Sequence, residues 1–143
     1  MKKILLFVLA LFFLGACKEE EQSSNNQVEE PSIIGLWHYS KYQFISPEGN
    51  VIGEYELDDC TKNSTFEFRP NNEHEAKIYE INENGDCIMA EHEVVDYYYD
   101  ATNKTLQMAD GQVLVSELTD NTLKLDINEG GQDEGSVRLT LIK

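Results

Sequence analysis

Histidines flanked by acids are the residues of this chain whose types and spacing could do chemistry. Glu73-His74-Glu75 and Glu91-His92-Glu93 repeat one acid–imidazole–acid triplet, a donor set that could hold a divalent cation. His92-Glu93-Val94-Val95-Asp96 is one residue short of the H-E-x-x-H zinc motif, with aspartate where the second imidazole belongs. It also lies in a strand pattern, where residues four apart do not form a helical metal face. Solvated strand faces explain both triplets more simply, and no metal is expected. Asp126-Ile127-Asn128-Glu129-Gly130-Gly131 begins like a calcium loop, but Gly130 stands at a ligand position and Val137 where the bidentate glutamate belongs. It reads as an acidic hairpin tip. Cys60 and Cys87 form no C-x-x-C pair, and no Cys/His set has zinc-like spacing. There is no G-x-S-x-G and no phosphate loop. No catalytic residue and no cofactor is expected.

The elements that would position these side chains are strands. From Ser32 onward the hydropathy alternates with a period of two, Trp37, Tyr39 and Lys41 against His38, Ser40 and Tyr42. Further strands are predicted over Val51–Leu57, around Phe66 and Phe68, over His74–Ile81 and over Ile88–Tyr99. Others fall around Leu106 and Met108, at Val113 and Val115, over Leu123–Ile127 and over Val137–Leu141. Ser46-Pro47-Glu48-Gly49-Asn50, Pro70-Asn71-Asn72, Asn82-Glu83-Asn84-Gly85-Asp86, Asp110-Gly111 and Thr119-Asp120-Asn121 supply turn chemistry between them. No segment keeps a helical period over three turns, so no substantial helix is expected. About eight or nine short strands in one domain predict an all-β antiparallel up-and-down meander. Closing it into a small barrel would hide its edges.

One face of that meander gathers Trp37, Tyr39, Phe66, Phe68, Ile78, Tyr97, Tyr99, Met108, Val115, Leu125 and Leu139. As a binding site, Trp37, Tyr39, Phe66, Phe68, Tyr97, Tyr99 and Met108 would line an apolar pocket with tyrosine hydroxyls as polar handles. As structure, they would fill an interior that about eight strands leave only wide enough for side chains.

The N-terminus has a different logic. Lys2 and Lys3 precede an apolar run from Ile4 to Phe13, then small residues, then Cys17, after which Lys18-Glu19-Glu20-Glu21 reverses the polarity. The run is shorter than the roughly 20 residues a membrane-spanning helix needs. Leu14-Gly15-Ala16-Cys17 resembles the lipobox of bacterial lipoproteins. The resemblance implies removal of residues 1–16 and a multiply acylated Cys17. Stable anchoring needs two or more chains, since each buried CH2 contributes only about 0.8 kcal/mol. Residues 17–31 contain one aliphatic side chain, Val28, and no aromatic, so they read as a flexible acidic tether. The lysine followed by acids also resembles the export signal of surface lipoproteins in Bacteroidetes, which implies an outer-membrane protein displayed at the cell surface. With Cys17 acylated and the chain exported to an oxidising compartment, Cys60 and Cys87 are predicted to form a disulfide.

The formal net charge is −16, and losing Lys2 and Lys3 with residues 1–16 makes it two units more negative. Such a domain is repelled by nucleic acid, which is excluded as a partner.

Residues 32–143 hold a second resemblance. Gly35-Leu36-Trp37 resembles the G-x-W signature of lipocalins, whose tryptophan plugs the closed end of the barrel. Cys60 to Phe68, Tyr97-Tyr98-Tyr99-Asp100 running into Lys104-Thr105-Leu106, and Leu118 to Leu125 resemble the small lipocalin-like domains of Bacteroidetes lipoproteins. The resemblance implies a monomeric barrel that binds a small apolar ligand inside. A surface interaction or inhibitor module is the other reading, with a filled core and the acidic loops Asn82–Asp86 and Asn128–Gly135 docking a basic protein partner.

The anchor is directly testable. Cys17→Ser is expected to release the protein from the membrane fraction of cells that express it, and unchanged retention would contradict lipidation.

Overall fold

The structure is a computed structural model that describes residues 30–109, 111–128 and 135–143. Cys17, the apolar leader, nearly all of the tether and the centre of the acidic loop Asn128–Gly135 lie outside the described residues. The described chain is a single antiparallel sheet of ten strands. These are β1 (Gly35–Ile45), β2 (Val51–Tyr55), β3 (Thr65–Phe68), β4 (Glu73–Ile81) and β5 (Cys87–Asp96), then β6 (Tyr98–Asp100), β7 (Thr105–Met108), β8 (Gly111–Leu118), β9 (Thr122–Ile127) and β10 (Ser136–Ile142). One 3-10 turn, Thr61–Asn63, precedes β3.

The turns form as their residue types dictate. Asn82 Oδ1 accepts the N–H groups of Asn84 and Asp86, both at 2.9 Å, and Asp100 Oδ1 accepts those of Thr102 and Asn103. Thr119 Oγ1 receives the N–H of Thr122 at 3.0 Å.

Strand order along the sheet is β5-β4-β3-β1-β10-β9-β8-β7-β6, with β2 paired to the far half of β1. The first strand therefore sits mid-sheet. It pairs with β10 from His38 to Ile45, and its other edge is shared by β3 (Gly35–His38) and β2 (Tyr42–Ile45). A bulge between Tyr39 and Lys41 shifts its alternation. Lys41, which strict alternation groups with Trp37 and Tyr39, instead pairs with Glu54 at 3.6 Å.

Trp37, Leu106, Leu123 and Leu141 are completely buried in one cluster with Phe68, Val115, Leu125 and Tyr97. The Trp37 indole N–H donates to Ile33 O at 2.8 Å, and Lys143 Nζ lies over the ring, 4.3 Å from its centroid. Gly35 takes φ 138°, and a Cβ there would meet Lys143 Cε at 3.0 Å. The G-x-W glycine thus has a conformational reason, since the end of the flexible Lys143 side chain could shift aside.

Cys60 and Cys87 form a disulfide with Cα atoms 5.5 Å apart, linking the approaches to β3 and β5 across the intervening β4. Beneath it, Ser64 ties two strands together. Its carbonyl accepts Tyr39 N–H at 3.1 Å, and its buried hydroxyl accepts Tyr79 N–H at 2.9 Å, where β4 slips register against β5.

The predicted strand Ile88–Tyr99 is interrupted. Tyr97 is buried and belongs to neither β5 nor β6. Its N–H donates to Asn72 O at 2.8 Å and its hydroxyl to Arg69 O at 3.0 Å, so both are held by the β3–β4 turn. The ring packs edge-on against Phe68 at 5.1 Å. The chain turns a corner there, leaving β5 paired only to β4 and β6 only to β7. The sheet curls into a half-barrel with no ladder joining β5 to β6 among the described residues.

Truncating the central indole removes a large buried side chain and its hydrogen bond. Trp37→Ala is expected to cost about 3–5 kcal/mol in urea unfolding, and a loss below about 1 kcal/mol would show the side chain to be peripheral.

Candidate functional site

At the corner at Tyr97 no ladder joins β5 to β6 among the described residues, and between these flanks lies a groove of about 400 Å³. Phe66 of β3, with Ala76 and Ile78 of β4 and Glu91, Glu93 and Val95 of β5, lines one side. Met108, Ala109, Gln112, Val113 and Ile127 line the other. A wider cleft of about 640 Å³ adjoins it at the seam, between Val94–Tyr98 and Gln107–Ala109, and shares Val95, Met108 and Ala109. The floor is aliphatic and aromatic, as small-molecule sites usually are.

His74 lies in the wall. It is 5% exposed, stacked on Phe68 with ring centroids 4.5 Å apart and near-parallel to Phe66 at 6.1 Å. Its Nδ1 faces Glu67 O at 3.3 Å. A carbonyl only accepts, so Nδ1 carries the proton and Nε2 of the neutral ring is an acceptor. Burial disfavours the imidazolium and pushes its pKa below the ordinary histidine value, against a smaller opposing effect from Glu67 O.

His92 does something different. Glu75, next to His74 but on the opposite face of β4, gathers Lys77 at 3.0 Å, His92 at 2.7 Å and Arg69 around its carboxylate. Hydrogen bonds from Lys77 and His92 hold its pKa down to about 2. The two acid–His–acid triplets are therefore split by the sheet, one imidazole inside and one outside. No group of three or more His, Cys, Asp or Glu is placed to hold a metal among the described residues. Asp126, first residue of the calcium-like segment, is bonded to Arg138 at 2.6 and 2.8 Å and to Ser116 at 3.0 Å.

The inward residues read from the sequence come together, but with different roles. Trp37, Phe68 and Tyr97 are buried core; Tyr39, Phe66, Tyr99 and Met108 pack against it half-buried. Phe66 and Met108 line the groove, and Tyr97 reaches the seam cleft. Tyr99 lines a separate recess of about 330 Å³ beside Glu30, Pro31 and Val115. Tyr39 has its hydroxyl partly buried, which raises its pKa well above the usual phenol value. Sequence reasoning missed Ala76, Ala109 and Val113 as lining and His74 as an inward residue. Parity with Phe66 across the β3–β4 ladder, where Phe66 faces Ala76 and Phe68 faces His74, is the signal that finds two of them.

Comparison with known proteins adds a family. The sequence model of the lipocalin-like domain matches residues 33–125, more than half of the chain. The solved structure of a lipocalin-like protein from Bacteroides uniformis aligns over 77% of this chain and 96% of its own, with 14% identity and a TM-score of 0.47. No curated protein matches the chain.

Because the folded His74 binds a proton less readily than an unfolded histidine of pKa about 6.5, the unfolded state takes up protons first as pH falls. Stability is therefore fully present above about pH 6.5 and declines below it. Comparing unfolding of the protein and of His74→Gln between pH 7 and 5 checks this. The variant should show the shallower slope, and parallel slopes would contradict it.

Proposed function

The chain belongs to the lipocalin-like domain family, and on that premise we propose that it binds a small, largely apolar molecule in the groove between β4–β5 and β7–β9, without chemical turnover. A lipidated Cys17 would hold it to the outer membrane, with the acidic tether carrying the domain on the cell-surface side. The observation that carries the binding reading is the groove itself. The buried cluster fills the Trp37 end of the half-barrel, while the far end keeps an accessible aliphatic and aromatic lining. Each 100 Å² of apolar ligand surface moved from water into it would contribute about 2.5 kcal/mol before the costs of immobilisation.

Ala109 gives a clean test. It is exposed, so enlarging it leaves the buried cluster intact, yet it borders both the groove and the seam cleft. The neutral fluorescent probe N-phenyl-1-naphthylamine is expected to bind saturably at one site per chain. Ala109→Trp should weaken it at least tenfold with an unchanged melting temperature. Non-saturable binding, or equal affinity in the variant, would contradict the assignment.

A further inference from the structure

The apolar lining does not account for two of the residues in it. Among the described residues, Glu91 and Glu93 are the only charged ones that line the groove, and Glu93 is half-buried while Glu91 is exposed. Their cross-strand neighbours are Ile78 and Ala76. Neither carboxylate has an ion pair or hydrogen bond among the described residues. Elsewhere in the sheet, Glu54, Glu67, Glu75, Glu117 and Asp126 each have a lysine or arginine within ion-pair distance, whereas the exposed Glu80 and Asp96 of the same hairpin, like the exposed Glu91, have none. The groove therefore presents carboxylates that the protein itself does not neutralise.

His74 is an independent second observation. It is more than nine-tenths buried and lines the same groove. With Nδ1 engaged by Glu67 O, its remaining polar atom, Nε2, has no partner among the described residues. It is an acceptor that keeps some contact with water. Two unpaired carboxylates and one acceptor without a protein partner beside an apolar floor, with no lysine or arginine among the described lining residues, specify the polarity of what fits.

Resting on the binding reading above, we propose that the groove takes an organic cation, an apolar body bearing a protonated amine. The ammonium sits within reach of Glu91 and Glu93, and the body lies against Phe66, Ile78, Met108 and Val113. The two glutamates are two residues apart on one strand, about 7 Å between Cα atoms, so both side chains can approach one ammonium. An ammonium brings up to three donors to a site rich in acceptors. A fatty acid or other anionic amphiphile would bring like charge to the same two carboxylates, a repulsion that grows as water is excluded. The strongly negative net charge of the chain adds long-range attraction for a cation.

Three ligands with one apolar body separate the head-group contribution from the rest. These are 4-phenylbutylamine, 4-phenylbutan-1-ol and 4-phenylbutyrate, titrated calorimetrically into the full chain in a nonionic detergent against detergent-only blanks. The amine is expected to bind at one site per chain, at least tenfold tighter than the alcohol, with the carboxylate weakest. Glu91→Gln/Glu93→Gln should bring the amine-to-alcohol affinity ratio close to one. Glu80→Gln/Glu83→Gln, at and beyond the end of β4 and outside the groove, removes the same charge and should leave the ratio as it is. Equal affinity for all three ligands would overturn the cation assignment while leaving apolar binding standing. So would an equal loss of preference in the Glu80/Glu83 variant, which would assign it to the general field. Failure of every ligand to bind would overturn both readings.

Discussion

Burial of one indole ties the segment that leads into the sheet to its last strand. Trp37 lies on the strand that pairs with the last strand on one edge and with β3 on the other, and its N–H is bonded to the residue that leads into the domain, Ile33. Lys143, the C-terminal residue, closes over the ring. Leu123 and Leu141, paired across β9 and β10, are as completely buried as the indole. Gly35 takes a backbone conformation that side chains rarely adopt, and the tryptophan supplies the bulk that fills the narrow end.

With that end filled, the other end is free to differ. Tyr97 determines how. Its backbone and hydroxyl are both spent on the β3–β4 turn, so the chain cannot continue β5 straight and instead crosses to the opposite edge of the sheet as β6. The two edges meet at that corner and separate beyond it. The disulfide and Ser64 hold the β3–β4–β5 flank as one piece, so the groove has a firm wall. Tight packing near Trp37 and open space beyond Phe66 are two consequences of the same curl.

Much of this was legible in the residues, because period-two alternation and turn chemistry act locally. The turns built on Asn82, Asp100 and Thr119 form as their side chains dictate, and the strands between them follow. The disulfide partners were identifiable by elimination once Cys17 was set aside for lipid. Three features were not legible. The bulge at Ser40 reverses the alternation of β1, and bulges carry no strong signal in a single sequence. The break at Tyr97 falls inside an unbroken run of strand-forming residues, and its cause is a turn 25 to 28 positions earlier. The separation of His74 from His92 onto opposite faces follows from their even spacing only once that spacing is counted through the β4–β5 hairpin and its register shift. Identical triplets in sequence therefore became an inward acceptor and an outward partner of Glu75. The groove depends on long-range pairing, so its lining could be approached only through parity.

The proposed cargo of the open end of the half-barrel is a small molecule. Native mass spectrometry of the intact chain, extracted from cells that produce it, tests that most directly. A carried ligand is expected as a reproducible extra mass that remains with the folded protein and is lost on denaturation. A folded chain that carries no added mass, and acquires none when N-phenyl-1-naphthylamine is supplied, would contradict it.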